Sequence, residues 1–210
     1  MPNLLDIIEE QEPGLSVQMR RYVGEHMKEF DDVFRQHPIT APIGCIGLAE
    51  AFQLYFLVKE LQPQIIVESG TLHGFSLYFL RKAAPNAEIH SFDPFETPLY
   101  TDPTIHYHRN DWTKEPLTTW VGKKLFAFFD DHINQGDRLH EAMYRRASDV
   151  VFHDNYTSLK HSHTPLRYCA LPPWVQLCYT FENIDEPYFM DRPLPLLTRT
   201  WMTLVRLSYF

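Results

Sequence analysis

Glycine is scarce, with 8 in 210 residues and none after Gly136. The last 74 residues therefore lack the residue that most easily supplies positive φ angles. Cysteine is scarcer. Cys45, Cys169 and Cys178 are too few and too scattered for a disulfide framework, and no CxxC pair occurs, so small buried apolar side chains are expected. Positive charge is in deficit: 19 Lys plus Arg stand against 27 Asp plus Glu, a net charge of −8. That argues against a nucleic-acid binder, which concentrates positive charge along phosphates. Long hydrophobic runs are missing too. The longest apolar stretch, Phe52 to Val58 with Gln53 inside it, falls far short of the roughly 20 residues that cross a bilayer. The opening residues MPNLLDIIEEQEPG are acidic where a signal peptide is basic. A soluble, cytoplasmic protein with neither nucleic-acid nor membrane partners is the expectation.

What is present fits one globular domain spanning 1–210, of 24.8 kDa with 44% hydrophobic residues. Three helices come first, within residues 1–62: one from Asn3 to Glu10, one opened by Ser16 and closed by His37-Pro38, and one over Leu48 to Leu61. Residues 63–156 then alternate short β-branched or aromatic runs with helical ones. Strands are predicted at Gln64–Glu68, Ala87–Phe92, Thr104–His108, Lys124–Phe129 and Asp149–Phe152, with helices at Phe75–Ala84 and Asn134–Ala147. This alternation implies βαβ units and a doubly wound, mostly parallel α/β sheet of Rossmann-like type. In residues 157–210, six prolines between Pro165 and Pro195 rule out long helices, and Val175–Phe181 with Trp201–Leu207 suggest an antiparallel pair at a sheet edge.

In such sheets ligands bind outside the carboxyl ends of the strands. The first of these loops reads Glu68-Ser69-Gly70-Thr71-Leu72-His73-Gly74-Phe75-Ser76. It is no GxGxxG dinucleotide fingerprint, since Leu72 and His73 stand where glycines belong. It does offer two glycines for close backbone approach and Ser76 in the first turn of a helix whose free N–H groups favour a carboxylate. Asp93 ends the second strand, 25 residues after Glu68, where an acid can hold both hydroxyls of a ribose. Asn110-Asp111 end the third. A glycine loop alone is weak evidence and a lone acid reads as a cap or turn residue; three such features at three successive strand ends point to a nucleoside-type ligand carrying an amino-acid carboxylate.

The fourth strand runs into Asp130-Asp131-His132 and the fifth into His153-Asp154-Asn155. Clustered carboxylates at buried strand ends are paired, or hold a cation, because bare like charges repel. Two Asp oxygens and an Asn carbonyl are hard ligands suited to Mg²⁺. The competing reading makes Asp130 and Asp154 caps of the helices that follow.

IVESGTLHGFS resembles motif I of class I S-adenosylmethionine-dependent methyltransferases, and is closest to the catechol O-methyltransferase, cephalosporin hydroxylase-like and macrocin O-methyltransferase groups. The resemblance covers residues 45–156. It implies that Glu68, Gly70 and Ser76 line the methionine part of S-adenosylmethionine, that Asp93 binds the ribose and that Asp111 lies near the adenine. Thr71, His73 and Gly74 complete the cofactor loop. Strand-Asp followed by strand-Asp-Asn is similar to the metal pattern of cation-dependent O-methyltransferases, which makes Asp130, Asp154 and Asn155 the Mg²⁺ ligands, with Asp131 as the alternative register for Asp130. His132 is then the candidate general base, with Asp131 beside it. The chain departs from the catechol type in having Ile133 or Asn134 in place of a lysine, and Arg145-Arg146-Ala147-Ser148 in place of a Gly-Gly turn. A sugar or natural-product hydroxyl suits it better than a catechol.

His106-x-His108 and His161-x-His163 each place two rings on one side, as zinc ligands require, but neither has a third ligand at a fixed spacing, so both read as solvated or hydrogen-bonded histidines. No Gly-x-Ser-x-Gly elbow and no P-loop occurs. The expected activity is Mg²⁺-assisted methyl transfer from S-adenosylmethionine to a hydroxyl of a small molecule or sugar; a homo-oligomer is left open. Two alternatives keep the fold: a hydroxylase-like enzyme with another metal on the same carboxylates, and a non-catalytic interaction module.

Overall fold

The computed structural model describes residues 17–39, 45–95, 98–153, 164, 176–177, 188–189, 192–193 and 203–207. The helix expected over residues 3–10 lies outside these, as do Cys169, Cys178 and the His161/His163 pair.

Helix α1 spans Val17–Arg35 and ends just before His37-Pro38, where proline removes a donor and disfavours helix in the residue before it. Helix α2 spans Leu48–Leu61. Its first turn is held by Glu50, whose Oε2 accepts from the Gly47 N–H at 2.7 Å, half of a capping box. Gln62 closes it in the left-handed region at φ 46°, with its N–H on the Val58 carbonyl.

Strands and helices then alternate as β1 (Ile65–Ser69), α3 (Phe75–Ala83), β2 (Glu88–Phe92), β3 (Ile105–His108), β4 (Leu125–Phe129), α4 (Gln135–Tyr144) and β5 (Asp149–Phe152). Four further strands follow: β6 (Gln176–Leu177), β7 (Tyr188–Phe189), β8 (Arg192–Pro193) and β9 (Thr203–Arg206). Seven strands make one sheet in the order β3-β2-β1-β4-β5-β9-β6, and β7 with β8 forms a separate ladder. Strands β1 to β5 are parallel, while β9 runs antiparallel to both β5 and β6. The antiparallel pair expected near the C-terminus is thus present as β6 and β9, with β6 at the edge.

The sequence of β4, LFAFF, has no polar residue because both faces of the sheet are covered. Phe126 and Phe128 pack with Phe30 of α1, Phe52 and Phe56 of α2 and Phe79 of α3. Leu125, Ala127 and Phe129 pack on the other face with Trp112, Trp120 and Leu139 of α4. The turn before β5 forms without glycine: Arg146 takes φ 57°. Arg145 beside it lies 4.6 Å over the Trp112 ring and donates to the Thr113 and Glu115 carbonyls.

From β1 the chain winds outward through β2 and β3; β4 then returns to the opposite side of β1 and leads to β5. The carboxyl ends of β1 and β4 therefore form the switch point at which open α/β sheets bind ligands.

Candidate active site

Gly70 follows β1 at φ +94°, and its N–H donates to the Phe92 carbonyl at 3.0 Å. A Cβ there would sit 2.3 Å from the Asp130 carbonyl oxygen and 2.8 Å from the Asp131 nitrogen. Only glycine lets the β1 loop lie against the end of β4. Asp93, just past β2, fastens the same loop: its Oδ2 accepts from the Thr71 and Leu72 N–H groups at 3.1 and 3.0 Å, and its Oδ1 from Phe95 at 2.9 Å. Leu72 is left-handed at φ 45°, a conformation that costs a bulky side chain about 1–3 kcal/mol unless its surroundings hold it; the Asp93 carboxylate does so.

Between these loops is a cavity of about 250 Å³. Its polar wall consists of Ser69, Gly70, Asp93, Asp111, Asp130, Asp131, His132 and Arg138, and its apolar wall of Leu72, Phe92, Phe95 and Ile133.

Arg138 is the organising cation of this wall, and sequence reasoning missed it. Its side chain is 3% exposed and donates to three carboxylates: Asp111 through both terminal nitrogens at 3.2 and 2.5 Å, Asp131 through Nε at 2.8 Å, and Glu141 at 2.7 Å. Burial alone would raise the Asp111 pKa, but Arg138 and the Thr113 hydrogen bonds hold it down at about 2. The available signal was an arginine beside Leu139, on the face of α4 that also buries Ala142.

A second charged chain runs under the β4 and β5 ends. His153 Nδ1 lies 2.7 Å from Asp130 Oδ1, and its Nε2 lies 3.2 Å from Glu50 Oε2. Burial disfavours the imidazolium, yet the two carboxylates outweigh it and raise the His153 pKa well above the ordinary value. Glu50 is the other residue that sequence reasoning missed, hidden as one acid in the apolar run of α2.

Six of the sequence-predicted residues, Gly70, Asp93, Asp111, Asp130, Asp131 and His132, meet on the cavity wall. Thr71 faces a second pocket that shares Asp93. Glu68 and Ser76 are buried beneath the loop, with the Ser76 hydroxyl donating to Glu68 Oε1 at 2.5 Å and Ser91 to Oε2 at 3.2 Å. Burial pushes the Glu68 carboxyl up to about 8. His73 receives the Leu99 and Tyr100 N–H groups on its carbonyl, and its ring lies 4.0 Å from the Cys45 thiol. Burial pushes that thiol up to about 11, in keeping with an inert cysteine. Gly74, at φ +82°, is the N-cap of α3. Asp154 and Asn155 lie outside the described residues. Asp130 does not cap the helix after it: Asn134 does, its Oδ1 accepting from Gly136 and Asp137. Asp111 does cap, taking the Thr113 N–H at the one-turn 3-10 helix Trp112–Lys114.

Sheet order, the antiparallel β9 and the glycine loop at the switch point define a Rossmann-like protein with the class I methyltransferase fold. Solved structures share it. CmcI in its SAH-bound form aligns over 83% of this chain and 90% of its own at 16% identity and a TM-score of 0.52. A match to the apo form of CmcI covers 59% of this chain and 64% of the other, under two thirds of its length, at a TM-score of 0.43. A candidate O-methyltransferase from Klebsiella pneumoniae aligns over 97% of this chain and 96% of its own at 11% identity and a TM-score of 0.52. A cofactor-bound protein from MTB gives 99%, 98%, 13% and 0.52. At these identities the likeness is one of fold. No family model matches the sequence, and no curated protein matches it.

Proposed function

We propose that the chain is an S-adenosylmethionine-dependent O-methyltransferase acting on a hydroxyl of a small molecule or sugar, with Mg²⁺ assistance. The observation that carries this reading is the carboxylate-lined cavity at the switch point, floored by Gly70 and walled by Asp93, Asp111 and Asp130. Its charge suits a sulfonium, and Leu72, Phe92 and Phe95 give a purine ring an apolar slot. The SAH in CmcI and the cofactor in the MTB protein support the same assignment.

Bound S-adenosylmethionine would supply an electrophilic methyl, and Mg²⁺ held by Asp130, Asp154 and Asn155 would acidify the acceptor hydroxyl. Asp130 would join that set beside its pair with His153. The Asp131 oxygens already accept from the Ser69 hydroxyl at 2.6 Å, from Arg138 and from the Ile133 N–H at 3.2 Å. Asp131 therefore acts as a positioning residue. Its bond to Ile133 brackets His132, which is exposed at the cavity rim with φ 56°. His132 would be the base that holds the acceptor's hydroxyl proton, a contribution of about 10²–10⁴-fold. Asp93, fixed by the three N–H groups it accepts, would be the acid that faces the ribose hydroxyls.

Thermal unfolding with and without S-adenosylhomocysteine tests the reading. The expected result is a clear rise in Tm that Asp93→Ala abolishes; no rise at saturating ligand sinks the proposal. Labelled methyl transfer to a panel of sugars and phenols, with and without Mg²⁺, then identifies the acceptor class.

A further inference from the structure

Beyond Phe92 of the cavity wall, the paired strands at the sheet edge gather residues that the sequence keeps apart. Glu88 and His90 are two positions apart on β2, so their side chains share a face. His106 sits opposite His90 in the parallel register of β2 and β3, and the two rings stack at 4.8 Å. One carboxylate oxygen and one imidazole nitrogen from each histidine lie within 4.8 Å of one another. His106 therefore finds its partners across the ladder, on β2, and not in His108 two positions along.

We propose that Glu88, His90 and His106 form a zinc-binding site on the β2–β3 edge, separate from the methyltransferase cavity. Two imidazoles and a carboxylate are donors that favour Zn²⁺ and its late transition-metal neighbours over Mg²⁺ or Ca²⁺. Zinc bonds of about 2.0–2.2 Å put tetrahedral ligand atoms roughly 3.4 Å apart. The site must close by up to about 1.4 Å, and its outer ligands can move, since His106 is exposed and the Glu88 side chain is 41% exposed. The inner ligand is already aimed: His90 is buried, with Nε2 3.0 Å from Glu88 Oε1. Lys123 holds the other Glu88 oxygen at 3.0 Å.

An outer layer is built as well. His90 Nδ1 lies 3.1 Å from His108 Nε2, and His108 Nδ1 lies 3.6 Å from Glu115. When metal takes His90 Nε2, the ring proton sits on Nδ1 and is donated to His108, whose own proton then faces Glu115. Ligating histidines are commonly oriented through their second nitrogen in this way. Water completes the coordination. Glu88 and His90 precede Asp93 by five and three residues, roughly 16 and 10 Å along the strand at about 3.3 Å each, so the two sites share no ligand. The metal would clamp the four-residue strand β3 to β2, its one sheet neighbour among the described residues.

Calorimetric titration of the full chain with Zn²⁺, in buffer containing excess Mg²⁺, tests this. One equivalent is expected to bind, with a rise in Tm that EDTA reverses, and Co²⁺ should give the visible absorption of a low-symmetry nitrogen–oxygen site. His106→Ala and Glu88→Gln should each abolish that equivalent, and His108→Ala should weaken it about 10–100-fold. Asp130→Asn and the surface variant His140→Ala should leave it intact. Unchanged zinc binding in His106→Ala, binding lost only in Asp130→Asn, or no binding to the wild type overturns the proposal. Equal metal-free Tm values for wild type and His106→Ala separate loss of ligation from loss of fold.

Discussion

Gly70 shows how much one missing Cβ can decide. Gly70→Ala would drive a methyl group into the Asp130 backbone and hold an L side chain at φ +94°. The expected cost is at least about 2 kcal/mol of stability, with loss of the S-adenosylhomocysteine thermal shift; urea unfolding and the shift assay read the two effects separately. Asp111 and Glu68 carry opposite pH signatures. The Asp111 pKa is lowered to about 2, so its stabilisation is complete above the unfolded value of about 4 and is lost as pH falls toward 2. The stability gap between wild type and Asp111→Asn should therefore close between pH 4 and 2 in urea titrations. Glu68 is raised to about 8, so its contribution is complete below the ordinary glutamate value of about 4.3 and is lost as pH rises through about 8. Wild type should lose stability relative to Glu68→Gln over that window. At this scale Gly70, Asp93 and Asp130 were legible because a glycine in a strand-to-helix loop, or an acid at a strand end, carries meaning by position. Arg138 and Glu50 were not, because each sits within a helix and finds its partners through the tertiary fold.

Elements were legible wherever hydrophobic period and punctuation agreed. LFAFF followed by Asp130 reads as a buried strand reaching a loop, and Pro63 marks the end of α2. Element ends were harder where no glycine stood at the turn. Helix α4 was expected to continue to Ala147 but stops at Tyr144, because Arg146 bends into the left-handed region without a glycine to announce it. Gln62 does the same after α2, exposed and at φ 46°. Left-handed backbone costs an L residue about 1–2 kcal/mol, and glycine returns about 0.5–1 kcal/mol of that through its looser unfolded chain. Gln62→Gly should thus stabilise the protein by about 0.5–1 kcal/mol, read as a higher urea midpoint at unchanged m-value. Pairing register is the other thing a linear pattern hides. That His90 faces His106 follows from how β3 slides against β2, which no local spacing encodes.

At the scale of the whole molecule, the −8 charge is not spread evenly. Asp93, Asp111, Asp130 and Asp131 crowd one end of the sheet, with Arg138 and His153 as the compensating cations. A cationic ligand there would join loops from β1, β2 and β4 in one contact. Binding at a hundredfold excess over Kd adds about 2.7 kcal/mol, and hydrogen exchange should slow together over residues 69–76, 93–95 and 130–133. Slowing confined to one of these loops would contradict a shared site. The parallel topology also made the fold class readable, since strand-helix alternation admits few arrangements.

The sheet order has a consequence for the chain's birth. β1 is made first and lies at the centre of the five parallel strands, yet its partner β4 begins 60 residues later, with Ile65 opposite Leu125. At about 5–20 residues per second of synthesis, roughly 3–12 s pass before that flank can be covered. During that interval one edge of Ile65, Ile66 and Val67 keeps its backbone N–H and C=O groups unpaired, an extended apolar segment on a nascent chain that a holdase would recognise.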